Sequence, residues 1–264
     1  MPSVPYWHVD AFADRPFIGN QAAVMILDAW PDDAVLQAIG AENMFAETAF
    51  LVRDASGEAD WELRWFTPSC EIRLCGHATL ASGHVLLGLE PERQDVTFRT
   101  RQAGKLWVRR VGRGYEVGLP LIPTERGEVF AQAALFGAEP VETWHSPHGY
   151  HILVYPDEAA VRALTPDFRA LGALGDDQYI ATAPGTRTDV VSRVFVPGGG
   201  IDEDPVTGSA HAVLTEYWTQ RLRRDSFTAH QASARGGLLT CRRGGETAWL
   251  AGDCVTVVEG RFTF

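Results

Sequence analysis

The sequence predicts an α+β fold of two pseudo-symmetric halves, each with a central buried helix wrapped by a curled, mostly antiparallel sheet. Three observations lead to this prediction. Two segments have the pattern of helices that are apolar on most sides, and they lie about half the chain length apart. Short strand-like segments separated by turn residues surround both of them. Strand–helix–strand crossovers are too few for a doubly wound parallel sheet.

The first buried helix is expected to begin near His77 and to continue to Gly88. Apolar side chains cover most of its sides, so we expect it to be buried all round. Cys75 and Gly76 would lie at its start. A buried helix start directs free N–H groups and the positive end of the helix dipole inward, which favours the binding of a carboxylate or another anion.

The second buried helix is expected from about residue 206 to residue 222. Pro205 suits its first turn, where a missing N–H is harmless, and Gly208 and Ser209 open its apolar part. Two ordinary core helices are the simpler interpretation of this pair. The acids and histidines at both helix starts favour a functional site instead, and we expect the two starts to face one shared cleft.

The remaining elements of the N-terminal half follow from alternating or continuous apolar runs and from turn residues. The predicted elements are strands at residues 3–12, 21–27, 47–53 and 61–66, a surface helix at 31–39, and a meander at 96–100, 105–110 and 115–119.

The Pro-rich segment 119–127 is the expected domain boundary, which divides the chain into residues 1–118 and 119–264. We allow for the last strand to return to the first half. The predicted elements of the second half are helices at 128–136 and 157–164 and strands at 150–155, 178–183, 189–196, 237–242, 247–250 and 255–258.

Charge and composition exclude several classes of function. The net charge of −11 argues against partners such as nucleic acid and anionic membrane surfaces. No apolar run approaches the roughly 18 residues that span a bilayer, and the N-terminus lacks the pattern of a signal peptide. We therefore expect a soluble, cytoplasmic protein, and the net charge does not argue against a small anionic ligand.

Neither a metal nor another cofactor is predicted. No two cysteines form a Cys-x-x-Cys pair, which makes a zinc site improbable. Three histidines cluster in a segment with the character of a loop, and we assign no metal to them: His145, His148 and His151. No glycine-rich segment has the strand–glycines–helix context of a nucleotide-binding loop.

Two acidic residues are candidates for proton transfer. Glu47 opens an apolar strand, where burial could let it act as a base near neutral pH. From spacing alone, a solvated carboxylate at the end of a strand is the simpler interpretation. Asp204 directly precedes the second buried helix, where it could cap the helix N–H groups or handle protons.

His77 and Cys75 are candidates at the first helix start. The helix dipole is expected to lower the pKa of His77 and to keep its ring neutral, so that it can donate or accept a proton. The same dipole would lower the pKa of the Cys75 thiol. Packing is the alternative for both, and we prefer it for Cys75.

Five ordered motifs together resemble the phenazine-biosynthesis isomerase family (PhzF-like), which shares its fold with diaminopimelate epimerase. They span nearly the whole chain: DAFADRPFIGNQAAV at 10–24, AETAF at 46–50, CGHAT at 75–79, DEDPVTGSAH at 202–211 and QASARGG at 231–237. Gln21 replaces a proline that is common in the family. In the last motif, Arg235 could hold a substrate carboxylate or a surface acid.

The resemblance implies cofactor-free isomerisation of a small carboxylated metabolite, such as the phenazine precursor dihydro-hydroxyanthranilate or an analogue of it. It implies that Glu47 is the general base and acid, with His77 and Asp204 as catalytic partners. It also implies a homodimer. Five residues are predicted to bind the substrate: Asn20, Cys75, Gly76, Gly208 and Ser209.

Two alternatives remain open. The first is an amino-acid or hydroxy-acid epimerase that uses Cys75, which stands where the related epimerases carry one of two catalytic thiols. The companion motif at 202–211 has no second thiol, and this disfavours a two-thiol mechanism. The second is a non-catalytic protein that binds a small acid.

Overall fold

The structure is a computed structural model that describes residues 1–127 and 131–264. The chain divides into two compact units. Unit 1 comprises Met1–Leu119 together with Ala251–Phe264, and unit 2 comprises Pro120–Leu250. This division differs from 1–118 and 119–264 chiefly at the C-terminus, whose last residues belong to unit 1.

Unit 1 contains a helix buried on nearly all sides, a surface helix and a mixed set of strands. Its elements are β1 (Ser3–Ala11), β2 (Asn20–Ile26), α1 (Asp33–Asn43), β3 (Glu47–Arg53), β4 (Trp61–Phe66), β5 (Glu71–Ile72), α2 (Gly76–Leu89), β6 (Asp95–Thr100), β7 (Lys105–Val111) and β8 (Gly114–Pro120). Strands β2 and β3 pair in parallel, as do β4 and β6, whereas β1–β2, β3–β4, β6–β7 and β7–β8 are antiparallel.

Unit 2 has a closely similar order. Its elements are β9 (Glu125–Gly127), β10 (Glu142–Ser146), β11 (Tyr150–Val154), α3 (Glu158–Arg162), α4 (Phe168–Gly172), β12 (Gln178–Pro184), β13 (Val190–Val196), β14 (Ile201–Asp204), α5 (Gly208–Leu222), β15 (Ser226–Gln231), β16 (Gly237–Gly244) and β17 (Thr247–Gly252). The parallel pairs are β11–β12 and β13–β15, in positions that correspond to those of unit 1. The repeated order that the sequence pattern predicted is therefore also a repeat of strand pairing.

The last strand, β18 (Cys254–Thr263), pairs antiparallel with β1 along the full length of that strand. This pairing explains why residues 251–264 belong to unit 1. The prediction allowed for this return, but it placed the strand at 255–258 only.

The two buried helices confirm the central prediction of the sequence. In α2, every residue from Gly76 to Gly83 is buried, and the helix contacts β1, β2, β3, β6, β7 and β18. In α5, every residue from Gly208 to Thr215 is buried, and the helix contacts β11, β15 and β16. No described helix is long and apolar enough to cross a membrane.

The outer face of each unit carries its smaller helices. Residues of α1 pack with β2, β3 and β4 in one apolar cluster: Met25, Leu27, Leu36, Ile39, Phe50, Val52 and Phe66. In unit 2, α3 and α4 contribute to the equivalent cluster: Phe136, Leu153, Tyr155, Val161, Leu164, Leu171, Tyr179, Ala181, Ala183, Val191 and Phe195.

Several predicted bounds were wrong for local reasons. Helix α1 continues to Asn43 and ends where Met44 takes a left-handed conformation, with φ of 53°. Helix α5 begins at Gly208, so Pro205 precedes the helix and does not occupy its first turn. Of the helix predicted at 128–136, residues 128–130 lie outside the described residues, and Ala131–Phe136 is a 3-10 helix.

The histidine segment was predicted wrongly at His145, which lies in β10 and not in a loop. His151 lies in β11, in agreement with the strand predicted at 150–155, and is the opposite partner of His145 in the antiparallel hairpin. Each lies beside a carboxylate, His145 beside Glu125 at 3.3 Å and His151 beside Asp177 at 2.9 Å.

Candidate active site

Glu47 is directed toward the buried helix of unit 1 by the alternation of its strand. Side chains alternate between the two faces of a strand. Phe50 and Val52 of β3 face α1 in the outer cluster, so Glu47 and Ala49 face the opposite side, where α2 lies. The Glu47 side chain is 16% exposed to solvent, so a ligand can still reach its carboxylate.

The imidazole of His77 links several groups at the start of α2. Its Nε2 lies 3.1 Å from Oε2 of Glu47 and 3.3 Å from the carbonyl oxygen of Gln21. On the other edge of the ring, Nδ1 lies 3.1 Å from Nδ2 of Asn20 and 3.5 Å from Sγ of Cys75. The ring is therefore held on both edges, with one edge directed at the carboxylate.

The expectation of a neutral His77 is wrong. Burial of the ring opposes its charged form, but the Glu47 carboxylate at 3.1 Å favours that form more strongly and raises the pKa of His77 well above its ordinary value. Asn20 can serve a protonated ring, because turning its amide presents an acceptor oxygen to Nδ1.

The expectation of an activated Cys75 thiol is also wrong. Burial, followed by the charge of Glu47, raises the pKa of Cys75 to about 11. The thiol therefore stays protonated at neutral pH, and it is a poor base and a poor nucleophile. The interpretation of Cys75 as a packing residue agrees with this environment.

The start of α2 has no side-chain cap. Cys75 is its N-cap residue, and its side chain makes no capping hydrogen bond. The first N–H groups of a helix have no partner within the helix, and Gly76 at the first position has no side chain that would keep a ligand from the backbone. The N-cap residue of α5, Thr207, likewise makes no side-chain capping bond.

Glu47, Cys75 and His77 are also three possible metal ligands. One ligand atom from each lies within 4.8 Å of the other two. However, Cys75 faces Nδ1 of the imidazole and Glu47 faces Nε2. Because the two ring nitrogens point in different directions, one ion cannot contact all three residues unless the ring turns. The arrangement fits a hydrogen-bonded group better than a metal centre.

A second polar group surrounds Asp204 in unit 2. Asp204 is 9% exposed, and its Oδ2 accepts a hydrogen bond from the Thr207 hydroxyl. The N-cap residue of α5 is Thr207 and not Asp204. Farther into the helix start, the Ser209 hydroxyl lies 3.4 Å from Oε1 of Gln178.

Gln231 completes this second group. Its Oε1 accepts from the Thr207 N–H at 2.8 Å, and its Nε2 donates to the Asp204 carbonyl at 2.6 Å. Gln231 was not among the predicted site residues, because the motif at 231–237 was interpreted through Arg235 alone. The strand that ends at Gln231, β15, was not predicted either, so the sequence pattern gave no signal for a buried amide at this position.

The predicted site residues thus fall into two groups. Unit 1 brings together Asn20, Glu47, Cys75, Gly76 and His77. Unit 2 carries Asp204, Gly208 and Ser209 at and before the start of α5.

Comparisons with known proteins agree with the fold and with the order of motifs. The family model for phenazine biosynthesis-like proteins (PhzC–PhzF) matches residues 9–260. The chain is 46% identical to an uncharacterized isomerase of Pseudomonas aeruginosa, and the match covers 97% of each chain. It superimposes on a crystal structure of a PhzF-family protein from Enterococcus faecalis with a TM-score of 0.90, at 39% identity over 100% of both chains.

A more distant likeness concerns the fold alone. A hydroxyproline epimerase from Agrobacterium vitis has a TM-score of 0.61 at 13% identity, over 98% of this chain and 92% of that one. The α+β architecture is therefore that of the epimerases. By its motifs, its family match and its full-length relatives, the chain belongs to the phenazine biosynthesis-like (PhzF) family.

Proposed function

We propose that the protein is a cofactor-independent isomerase that moves a proton on a small carboxylated metabolite. The observation that carries the proposal is the pair of Glu47 and His77, 3.1 Å apart at the uncapped start of a buried helix. The isomerase named among the relatives supports the reaction class. Dihydro-hydroxyanthranilate or an analogue of it is the first substrate to test.

Glu47 is the proton carrier in this proposal. Its Oε2 faces His77, so Oε1 can face the substrate and take a proton from an activated carbon. The protonated His77 stabilises the carboxylate and holds its orientation through Nε2. The proton on Glu47 then returns to a different carbon of the same substrate, which leaves its composition unchanged.

The start of α2 binds a carboxylate of the substrate in this proposal, through free N–H groups near Gly76. The predicted binding residues Gly208 and Ser209 offer N–H groups of the same kind at the start of α5, within unit 2. A charge-assisted hydrogen bond of this kind typically contributes about 1.5–3 kcal/mol. We assign Asp204 to the same reaction, as a group that assists proton transfer.

The test is NMR of candidate acids incubated with the protein in D2O. The panel contains dihydro-hydroxyanthranilate, diaminopimelate and proline. We expect deuterium to enter one compound with the wild-type chain, and Glu47→Gln to lower its rate by about 10²- to 10⁴-fold, the usual contribution of a general acid–base residue. Glu92→Gln, at an exposed position, is the matched control and should retain the wild-type rate.

Three outcomes separate this proposal from its alternatives. Full activity in Glu47→Gln would exclude Glu47 as the proton carrier. Loss of stereoinversion in Cys75→Ser, with activity retained in Glu47→Gln, would favour the thiol epimerase. Tight binding of an acid without deuterium incorporation would indicate a metabolite-binding protein.

A further inference from the structure

We propose that Gln231 is a positioning residue that orients Asp204 and fixes the start of α5. The inference rests on the proposed function, because it assumes that Asp204 takes part in proton transfer. Gln231 is fully buried at the end of β15. A buried amide needs partners for both its ends, and those of Gln231 all belong to the turn that connects β14 to α5.

Three hydrogen bonds fix the orientation of the Gln231 amide. Its Oε1 accepts from the Thr207 N–H at 2.8 Å, and its Nε2 donates to the Asp204 carbonyl at 2.6 Å and to Oγ1 of Thr207 at 3.2 Å. A backbone N–H can only donate and a carbonyl can only accept. The positions of the amide oxygen and nitrogen are therefore determined by these partners.

The same contacts determine which hydrogen bond the Thr207 hydroxyl accepts and which one it donates. Its oxygen accepts a hydrogen bond from Gln231, so its own hydrogen is free to be donated, and it is donated to Oδ2 of Asp204. The order of donation runs from Gln231 through Thr207 to Asp204. Gln231 thus helps to set both the place of the Asp204 backbone and the hydrogen bond that its carboxylate receives.

Gln231 also decides which N–H groups remain for a ligand. The Thr207 N–H is bound to the amide, whereas Gly208 and Ser209 follow in the first turn of α5. Ser233, two residues beyond Gln231, donates from its hydroxyl to the Pro205 carbonyl at 2.7 Å. The segment after β15 therefore holds two successive carbonyl groups of the turn.

Two substitutions distinguish positioning from packing alone. Gln231→Leu keeps the approximate size and removes every polar contact. Gln231→Glu keeps an acceptor for the Thr207 N–H but offers no donor to the Thr207 hydroxyl or to the Asp204 carbonyl. Gln220→Leu is the matched control, because Gln220 lies on α5 with an exposed side chain whose amide donates to Oε1 of Glu216.

The experiment combines hydrogen exchange of the Thr207 amide with kinetics on the substrate found in D2O. We expect Gln231→Leu to speed exchange at Thr207 by about tenfold or more relative to Gln220→Leu, and to lower kcat by a similar factor with a smaller change in KM. In Gln231→Glu, the Thr207 amide should stay protected from exchange, while kcat should be lowered as in Gln231→Leu. This variant provides the test if the leucine variant does not fold.

Two results would overturn the proposal. One is unchanged protection of the Thr207 amide in Gln231→Leu, and the other is a folded Gln231→Leu with the kcat and pH profile of Gln220→Leu. If the wild-type chain moves no proton in any compound, the proposed function fails, and the catalytic role of Gln231 fails with it. The exchange measurement then still reports separately whether Gln231 holds the turn.

Discussion

The chemistry of the unit 1 site depends on which atom of His77 faces which neighbour. With Nε2 directed at Glu47 and Nδ1 at Asn20 and Cys75, the ring connects the carboxylate to groups that are otherwise separate. The arrangement favours a protonated imidazole and a neutral thiol. This is why the proposed function gives the proton transfer to Glu47 and not to Cys75.

The first prediction concerns the titration of His77. Because its pKa is raised in the folded chain, its charge stabilises the fold at pH values below the unfolded pKa of about 6.5. This contribution is lost as the pH rises through the folded value. We expect NMR titration to find His77 protonated above neutral pH, and Glu47→Gln to lower its pKa. A wild-type midpoint at or below about 6.5 would contradict the proposed ion pair.

The second prediction concerns thiol reactivity. Iodoacetamide at pH 7.5 should modify the exposed Cys70 but leave Cys75 largely unmodified in the native chain, because only thiolates react readily. Peptide mass spectrometry measures the two rates in one sample. Buried Cys241, whose pKa is raised to about 12 by burial, is the internal control for a protected thiol. Equal rates of modification at Cys70 and Cys75 would contradict this prediction and would support an activated thiol at Cys75.

At the scale of elements, α2 depends on small residues for its central position. A Cβ added to Gly83 would lie 2.2 Å from Cγ1 of Val108 in β7 and 2.5 Å from its Cβ, whereas one added to Gly88 would meet nothing within 4 Å. Strand β7 therefore approaches the helix at Gly83 more closely than any side chain there would allow.

The third prediction follows from this contrast within one helix. Gly83→Ala should lower the free energy of unfolding by about 1–3 kcal/mol through overpacking. Gly88→Ala should raise it by about 0.5–1 kcal/mol, because alanine loses less conformational freedom in a helix. Urea denaturation of the pair provides the comparison. A Gly83→Ala variant as stable as Gly88→Ala would show that β7 can move away from the helix without cost.

At the scale of the whole molecule, the chain closes unit 1 with its last residues. Ser3 pairs with Thr263 at one end of β1, and Ala11 pairs with Cys254 at the other. Phe262 and Phe264 also pack against the outer cluster that contains α1. Unit 1 thus contains a strand that follows the whole of unit 2 in the sequence.

The fourth prediction is that a chain ending at Gly252 loses stability and tends to aggregate. Removing β18 leaves β1 with an unpaired edge, which is a template for association with other chains. We expect a lower Tm and light scattering on heating, while a control chain ending at Thr263 stays close to wild type. Unchanged melting of the shorter chain would mean that β18 contributes little to unit 1.

The fifth prediction is the homodimer implied by the family resemblance. Size-exclusion chromatography with light scattering should give about twice the chain mass of 28.9 kDa at micromolar concentration. A mass near that of one chain across a range of concentrations would contradict it.

The sequence by itself determined the two buried helices, the repeated order of elements and the family. Helical patterns that are apolar on most sides and ordered motifs are local properties. They located the two helices without coordinates at about 77–88 and 206–222, close to the observed Gly76–Leu89 and Gly208–Leu222. Only the tertiary structure decided the charge states and partners in the site. These partners are far apart in sequence. Parallel pairing places Ala22 opposite Glu47, His77 contacts Glu47, and Gln231 donates a hydrogen bond to the Asp204 carbonyl. Burial and contact distances set their pKa values and hydrogen bonds, and those quantities exist only once the chain has folded.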